Sequence, residues 1–108
     1  NPASWQSAVA ARDESSGLID MVTDEEILVA YKRLAGASGV FTEPASAASV
    51  AGILKLHQQG YFRDYKGARI VCTLTGHGLK DPNLAIKHVP QPVTLNPDIK
   101  AILNEIGM

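Results

Sequence analysis

The run Ala68-Arg69-Ile70-Val71-Cys72-Thr73-Leu74, closed by Thr75-Gly76-His77-Gly78, limits the possible fold more than any other segment. Its near-continuous apolar centre, Ile70-Val71-Cys72, predicts a strand covered on both faces, because a strand with one wet face alternates apolar and polar side chains. Coverage of both faces calls for helices above and below a sheet. Helical patterns do alternate with extended ones along this chain, so the fold class reads as α/β, part of a mostly parallel sheet with flanking helices. In open sheets of that kind ligands sit beyond the carboxyl ends of the strands. The turn Gly76-His77-Gly78-Leu79-Lys80-Asp81-Pro82 is therefore the candidate crevice.

The helices follow from periodicity and punctuation. Ser4 is a candidate cap for a short helix with Trp5, Ala8 and Val9 on one face, stopped at Ser15-Ser16-Gly17. Leu18-Ile19-Asp20-Met21-Val22 reads as a short strand or extended link. Asp24, or Thr23 in its place, caps a second helix in which Ile27, Ala30, Tyr31 and Leu34 recur at amphipathic spacing. Gly36 and Gly39 bracket a turn before the brief extended run Val40-Phe41-Thr42-Glu43. Residues 44–59 open with proline at a position where a first helical turn accepts it, and continue through Ala45, Ala47, Ala48, Val50, Ala51, Ile53, Leu54 and Leu56. The small residues in its first half admit close approach of a backbone or a flat ligand, with close packing the heavier reading. Gly60 ends that helix, and residues 61–67 form a polar loop. Asn96-Pro97 precedes Ile99, Ile102, Leu103 and Ile106 on one face, so residues 96–106 are expected to form a docking helix.

Composition removes several function classes. With 108 residues the chain has room for one core, and 45% apolar against 19% charged residues suits a globular protein. Ten basic and eleven acidic residues lie interspersed, with no basic stripe to follow a phosphate backbone, so no nucleic-acid partner is expected. No apolar stretch approaches the roughly 20 residues needed to cross a bilayer, so no membrane role is expected. The single cysteine, Cys72, fits a reducing compartment, and the cytoplasm is the expected location. A start at Asn1-Pro2-Ala3-Ser4 suggests the middle of a longer chain.

Taken one at a time, the chemical motifs are weak. Gly76-x-Gly78 could form an anion nest, but lacks the third glycine of a dinucleotide fingerprint and the Gly-Lys-Ser/Thr of a P-loop. His57, His77 and His88 do not have metal-ligand spacing, so no metal is expected. Cys72, mid-strand, reads as a small buried hydrophobe. Ser46 and Ser49 sit where hydroxyls satisfy the free N–H groups of a helix start. Glu43, just ahead of Pro44, suits the positive end of that helix, as a cap or as support for a site.

Two longer segments are far more specific: Glu43-Pro44-Ala45-Ser46-Ala47-Ala48-Ser49 and Leu74-Thr75-Gly76-His77-Gly78-Leu79-Lys80-Asp81-Pro82. Together with Asn1-Pro2-Ala3-Ser4-Trp5 and Val22-Thr23-Asp24-Glu25-Glu26-Ile27, in the same order, they resemble the threonine synthase family over all but the stretch after about residue 90. The resemblance implies a fold-type II pyridoxal-phosphate enzyme, in which two α/β domains enclose the cofactor, and makes residues 1–108 the carboxyl-terminal part of the larger one. It implies a lyase of threonine biosynthesis that converts O-phospho-L-homoserine and water to L-threonine and phosphate, working as a homodimer.

Residue by residue, the resemblance sets the Thr75 hydroxyl beside the pyridine nitrogen of pyridoxal phosphate, with Gly76 letting the backbone approach the ring and Glu43 in support. A neutral hydroxyl can hydrogen-bond that nitrogen without the full charge that would hold it protonated. The lysine that forms the Schiff base and the glycine-rich loop for the cofactor phosphate have no counterpart here, and Lys80 matches a different lysine. The isolated chain is therefore expected to be inactive. Without the rest of its sheet it is also expected to associate or aggregate through the apolar strand. Two alternatives stand beside this reading: a non-catalytic interaction module derived from the family, and a piece of a related threonine dehydratase-like enzyme.

Overall fold

Residues 3–88 and 90–107 are described by a computed structural model. Five α-helices make up its regular structure: α1 (Trp5–Ser15), α2 (Asp24–Ser38), α3 (Ala48–Gln58), α4 (Pro82–His88) and α5 (Ile99–Glu105). Short 3-10 turns at Pro44–Ala47 and Gly78–Lys80 lead into α3 and α4.

Local signals explain where these helices begin and end. Thr23 heads α2 with a reciprocal capping box: Glu26 N–H donates to Thr23 Oγ1 at 3.3 Å and Thr23 N–H to Glu26 Oε2 at 2.8 Å. Asp24, Glu25 and Glu26 place negative charge on the positive end of the helix. At the other end Gly39 takes the left-handed conformation, φ 68°, and returns its N–H to the Ala35 carbonyl. Asp81 accepts Leu84 N–H at 3.1 Å and starts α4, a helix not foreseen from the sequence although Asp-Pro is a common opening. Ser4 lies at the head of α1 without a capping hydrogen bond. The last helix starts later than Asn96: Asp98 caps it by accepting Ala101 N–H at 3.0 Å, and none of its residues is buried.

The core is small and lies between α2, α3 and the turn joining them. Ala30 and Tyr31 on α2 meet Ala47 and Ala51 on the next helical segment. Val22, Ile27, Leu34, Phe41, Val50 and Leu54 pack around these four. Three of the four buried apolar side chains are alanines, so the backbones of α2 and α3 approach closely around one large ring, Tyr31. Residues 18–22 run without regular structure beside the small-residue face of α3, where Lys55 Nζ holds the Met21 carbonyl at 2.6 Å. A cavity of about 260 Å³ remains between Met21, Val22, Ala48 and Gly52.

The expected parallel sheet does not form among the described residues. Among the described residues there is no strand, and one isolated antiparallel bridge, Thr42 to His77, is the sole β pairing. Residues 68–74 have no regular structure and carry no ladder, and Val71 is 90% exposed. A strand needs a neighbour to take up its N–H and C=O groups. No described strand pairs with residues 68–74 to do so; the Thr73 carbonyl takes a side-chain donor, Ser49 Oγ, instead.

The chain is correspondingly open. Its radius of gyration is 18.9 Å, where a compact domain of about 100 residues has one near 13 Å.

Candidate functional site

The site is built where residues 73–78 cross the start of α3. Phe41 C=O accepts Gly78 N–H at 3.1 Å, and Gly76 C=O accepts two donors, Glu43 N–H at 2.9 Å and Thr42 Oγ1 at 2.8 Å. Ser49 Oγ reaches the Thr73 carbonyl at 3.3 Å. The extended run 40–43 and the glycine-rich turn are thus laced together, and Thr42 is buried by the lacing.

Both glycines of the turn are required by what lies against them. A Cβ on Gly76 would collide with the Glu43 side chain, and one on Gly78 with the Phe41 ring. Phe41 in turn stands between the core and the turn, its centroid 6.4 Å from Tyr31 and 5.6 Å from the His77 ring, which it meets edge-on. His77 Nδ1 accepts Leu79 N–H at 3.2 Å and heads the 3-10 turn Gly78–Lys80.

At the centre sits Ser46, the residue sequence reading missed. Its Oγ accepts Gly76 N–H at 2.7 Å, lies 3.0 Å from Thr75 Oγ1 and donates to Glu43 Oε1 at 3.2 Å. It does satisfy a backbone N–H, but one thirty residues distant and not one of its own helix. The one available signal is the spacing Glu43, Ser46, Ser49, which puts three polar side chains on one side of a helical start.

Glu43 makes no capping hydrogen bond to the turn it precedes. Its second oxygen, Oε2, pairs with Lys80 Nζ at 2.9 Å. The Lys80 contact holds the Glu43 carboxyl below its ordinary range, against an opposing push from burial and with help from the Lys80 charge and the Ser46 hydroxyl. Glu43 is therefore an ionised acceptor at neutral pH.

Thr75 itself is exposed, on the rim of an open-sided depression of about 270 Å³ lined by Phe41, Thr42, Leu74, Gly76 and His77. Glu43, Thr75 and Gly76 thus come together around Ser46. His57, His77 and His88 do not converge, and among the described residues no three of His, Cys, Asp or Glu are grouped to hold a metal ion. Cys72 is half-buried in the unpaired segment. No helix among the described residues is long and apolar enough to cross a membrane.

The sequence profile of the pyridoxal-phosphate dependent enzymes matches residues 3–76. The chain belongs to that family, whose cofactor is pyridoxal phosphate. Among individual proteins it is similar to a threonine synthase of Mycobacterium leprae, 48% identical over the whole chain and 29% of the relative's length. A threonine synthase of Halalkalibacterium halodurans is 53% identical over 98% of the chain and 30% of its own length. One of Methanocaldococcus jannaschii is 45% identical over 98% of the chain and 26% of its own length. The chain thus spans less than a third of the curated relatives it matches.

The residues present suit one end of that cofactor. Pyridoxal phosphate carries an aromatic nitrogen that needs a single hydrogen-bond partner at the ring edge, and Thr75 offers an exposed hydroxyl anchored from behind by Ser46. Gly76 does not play the part expected of it: the space a β-carbon would take is filled by the Glu43 side chain, so the glycine admits that carboxylate against the backbone and not a ring.

Proposed function

We propose that this chain is the carboxyl-terminal part of a threonine synthase, a fold-type II pyridoxal-phosphate lyase of threonine biosynthesis. The whole enzyme would convert O-phospho-L-homoserine and water to L-threonine and phosphate, as a cytoplasmic homodimer. Near-complete alignment of the chain with threonine synthases of two bacteria and an archaeon carries this reading. The bound cofactor supplies an electron sink for the bonds broken and formed on the substrate.

In this reading the residues in hand do positioning work. Thr75 holds a proton at Oγ1 toward the pyridine nitrogen, and Ser46 keeps that oxygen at a fixed distance from the α3 start. Thr42 and the Glu43 N–H pin the Gly76 carbonyl, which would hold the turn that carries Thr75 in place for the cofactor. A rigid platform of this kind orients the cofactor without contributing a covalent bond. The residues that would bind the cofactor phosphate and form the Schiff base belong to the remainder of the enzyme, whose sheet would also take up residues 68–74. The isolated chain would then be catalytically silent.

Replacement of Thr75 by valine in the full-length enzyme tests the assignment. Threonine formation should fall by ten-fold or more, about 1.4 kcal/mol per ten-fold, and the visible absorption of bound pyridoxal phosphate should change. Unaltered absorption and turnover would remove Thr75 from the site. In the isolated chain, pyridoxal phosphate followed by borohydride should leave no reduced lysine adduct linked to turnover. Such an adduct with threonine formation would overturn the inactivity of the piece.

A further inference from the structure

Ser46 and Thr75 carry two hydroxyl protons between them, and the geometry limits where those protons go. Ser46 Oγ already accepts Gly76 N–H at 2.7 Å, so its own proton goes either to Glu43 Oε1 or to Thr75 Oγ1. Where it goes to Glu43, Thr75 must turn its proton inward to Ser46, and only lone pairs face the depression. Where it goes to Thr75, the Thr75 proton points outward. An unprotonated pyridine nitrogen is an acceptor and selects the outward proton; a protonated one is a donor and selects the inward arrangement.

Glu43 competes for the Ser46 proton in proportion to its negative charge, and that charge is paired at 2.9 Å by Lys80. We propose that Lys80, acting through Glu43 and Ser46, sets the direction of the Thr75 hydroxyl proton and so keeps the pyridine nitrogen unprotonated, an extension that rests on the placement of Thr75 proposed above. Lys80 and Ser46 are positioning residues in this scheme: neither touches the ring. The lysine weakens the pull of the carboxylate on Ser46 and cancels a negative charge that would favour a pyridinium.

Other charged groups near the cluster do not supply this effect. His77 is exposed, and its Nδ1 is engaged with Leu79 N–H. Asp81 accepts Leu84 N–H at the head of α4. Tyr31, on α2, meets Phe41 and not the carboxylate. The pairing of Glu43 with Lys80 is the charge contact that reaches Ser46.

The test is nitrogen NMR of pyridoxal phosphate labelled at the ring nitrogen and bound to the full-length enzyme, followed through a pH titration. Lys80→Met should raise the pH at which the ring nitrogen loses its proton by roughly half to one unit, the lower part of the range for an adjacent charge. Solvent moderates the shift because the Lys80 side chain is 70% exposed. Lys80→Arg should keep the native titration, and Lys80→Met combined with Glu43→Gln, with neither charge present, should return toward it. In a Ser46→Ala background the Lys80→Met shift should shrink by half or more, since the hydroxyl path is gone. If Lys80→Met leaves the ring titration in place while Thr75→Val moves it, the proposal for Lys80 is wrong and the Thr75 assignment survives. If neither variant moves it, both fall. Circular dichroism of each variant checks that folding is intact.

Discussion

Residues 40–58 and residues 68–74 are both rich in apolar side chains, the second more so, yet the first is folded and the second has no regular structure. The first segment packs on α2 through Tyr31, Ala47 and Ala51, with 4% or less of each residue exposed. Val71, in the second, is 90% exposed, and Ile70 is 48% exposed. A helix satisfies its own backbone and needs only one apolar stripe covered, so two neighbouring helices can complete each other. A strand satisfies nothing by itself. Hydrophobicity therefore marks both regions as interior, but only the helical one carries its interior with it.

The contrast has consequences that can be measured. The largest concerns Tyr31 against Val71. Tyr31→Ala removes the one large ring in the core and should cost about 3 kcal/mol or more in urea unfolding of the 108-residue chain followed by helical circular dichroism. Val71→Ala should change the same curve by less than about 0.5 kcal/mol, as at other exposed positions. In the whole enzyme, where a sheet would cover it, Val71→Ala should instead cost about 1 kcal/mol or more. A large loss from Val71→Ala in the short chain would mean that residues 68–74 are already packed, and the contrast would collapse.

A smaller effect sits at the seam between the regions. Gly76→Ala forces a Cβ against the Glu43 side chain and should cost about 1–3 kcal/mol, the scale of overpacking. It should also loosen the turn 76–78, raising amide exchange at Gly78, whose N–H is held by Phe41.

The smallest effect is the acid response of Glu43. Its carboxyl lies below the ordinary range in the folded chain because of Lys80, so the stabilisation is present above the ordinary carboxylate range. It is lost as pH falls through the lower folded value. Urea midpoints measured from neutral to acid pH should fall less steeply for Glu43→Gln than for the native chain, and equal slopes would show that the pair adds nothing to folding.

Much of the site was legible in the residues themselves. Thr75, Gly76 and Glu43 stood out as members of two motifs, and the structure draws all three to one place around Ser46. Ser46 stands at a helix start, where serine ordinarily serves its own backbone, so its sequence position hides its role. Its partners lie thirty positions away, and no local pattern names a partner at that distance. Lys80 was legible as part of a motif, but its pairing with Glu43 was not, because the return of the chain at 76–78 brings them together.

From sequence alone came the positions of α1, α2 and α3, a cap at Asp24 or Thr23, a turn at Gly39 and the candidate turn at 76–82, while the resemblance of two motifs pointed to a pyridoxal-phosphate family. The helices, caps and turns depend on spacing and side-chain type within a few residues, which local physics decides. Tertiary structure alone decided which hydroxyl joins the two halves of the site, which lysine neutralises Glu43, and that residues 68–74 gain no ladder within this chain. Hydrogen bonds and strand pairing join groups far apart along the backbone, and only the path of the chain in space brings such groups within reach.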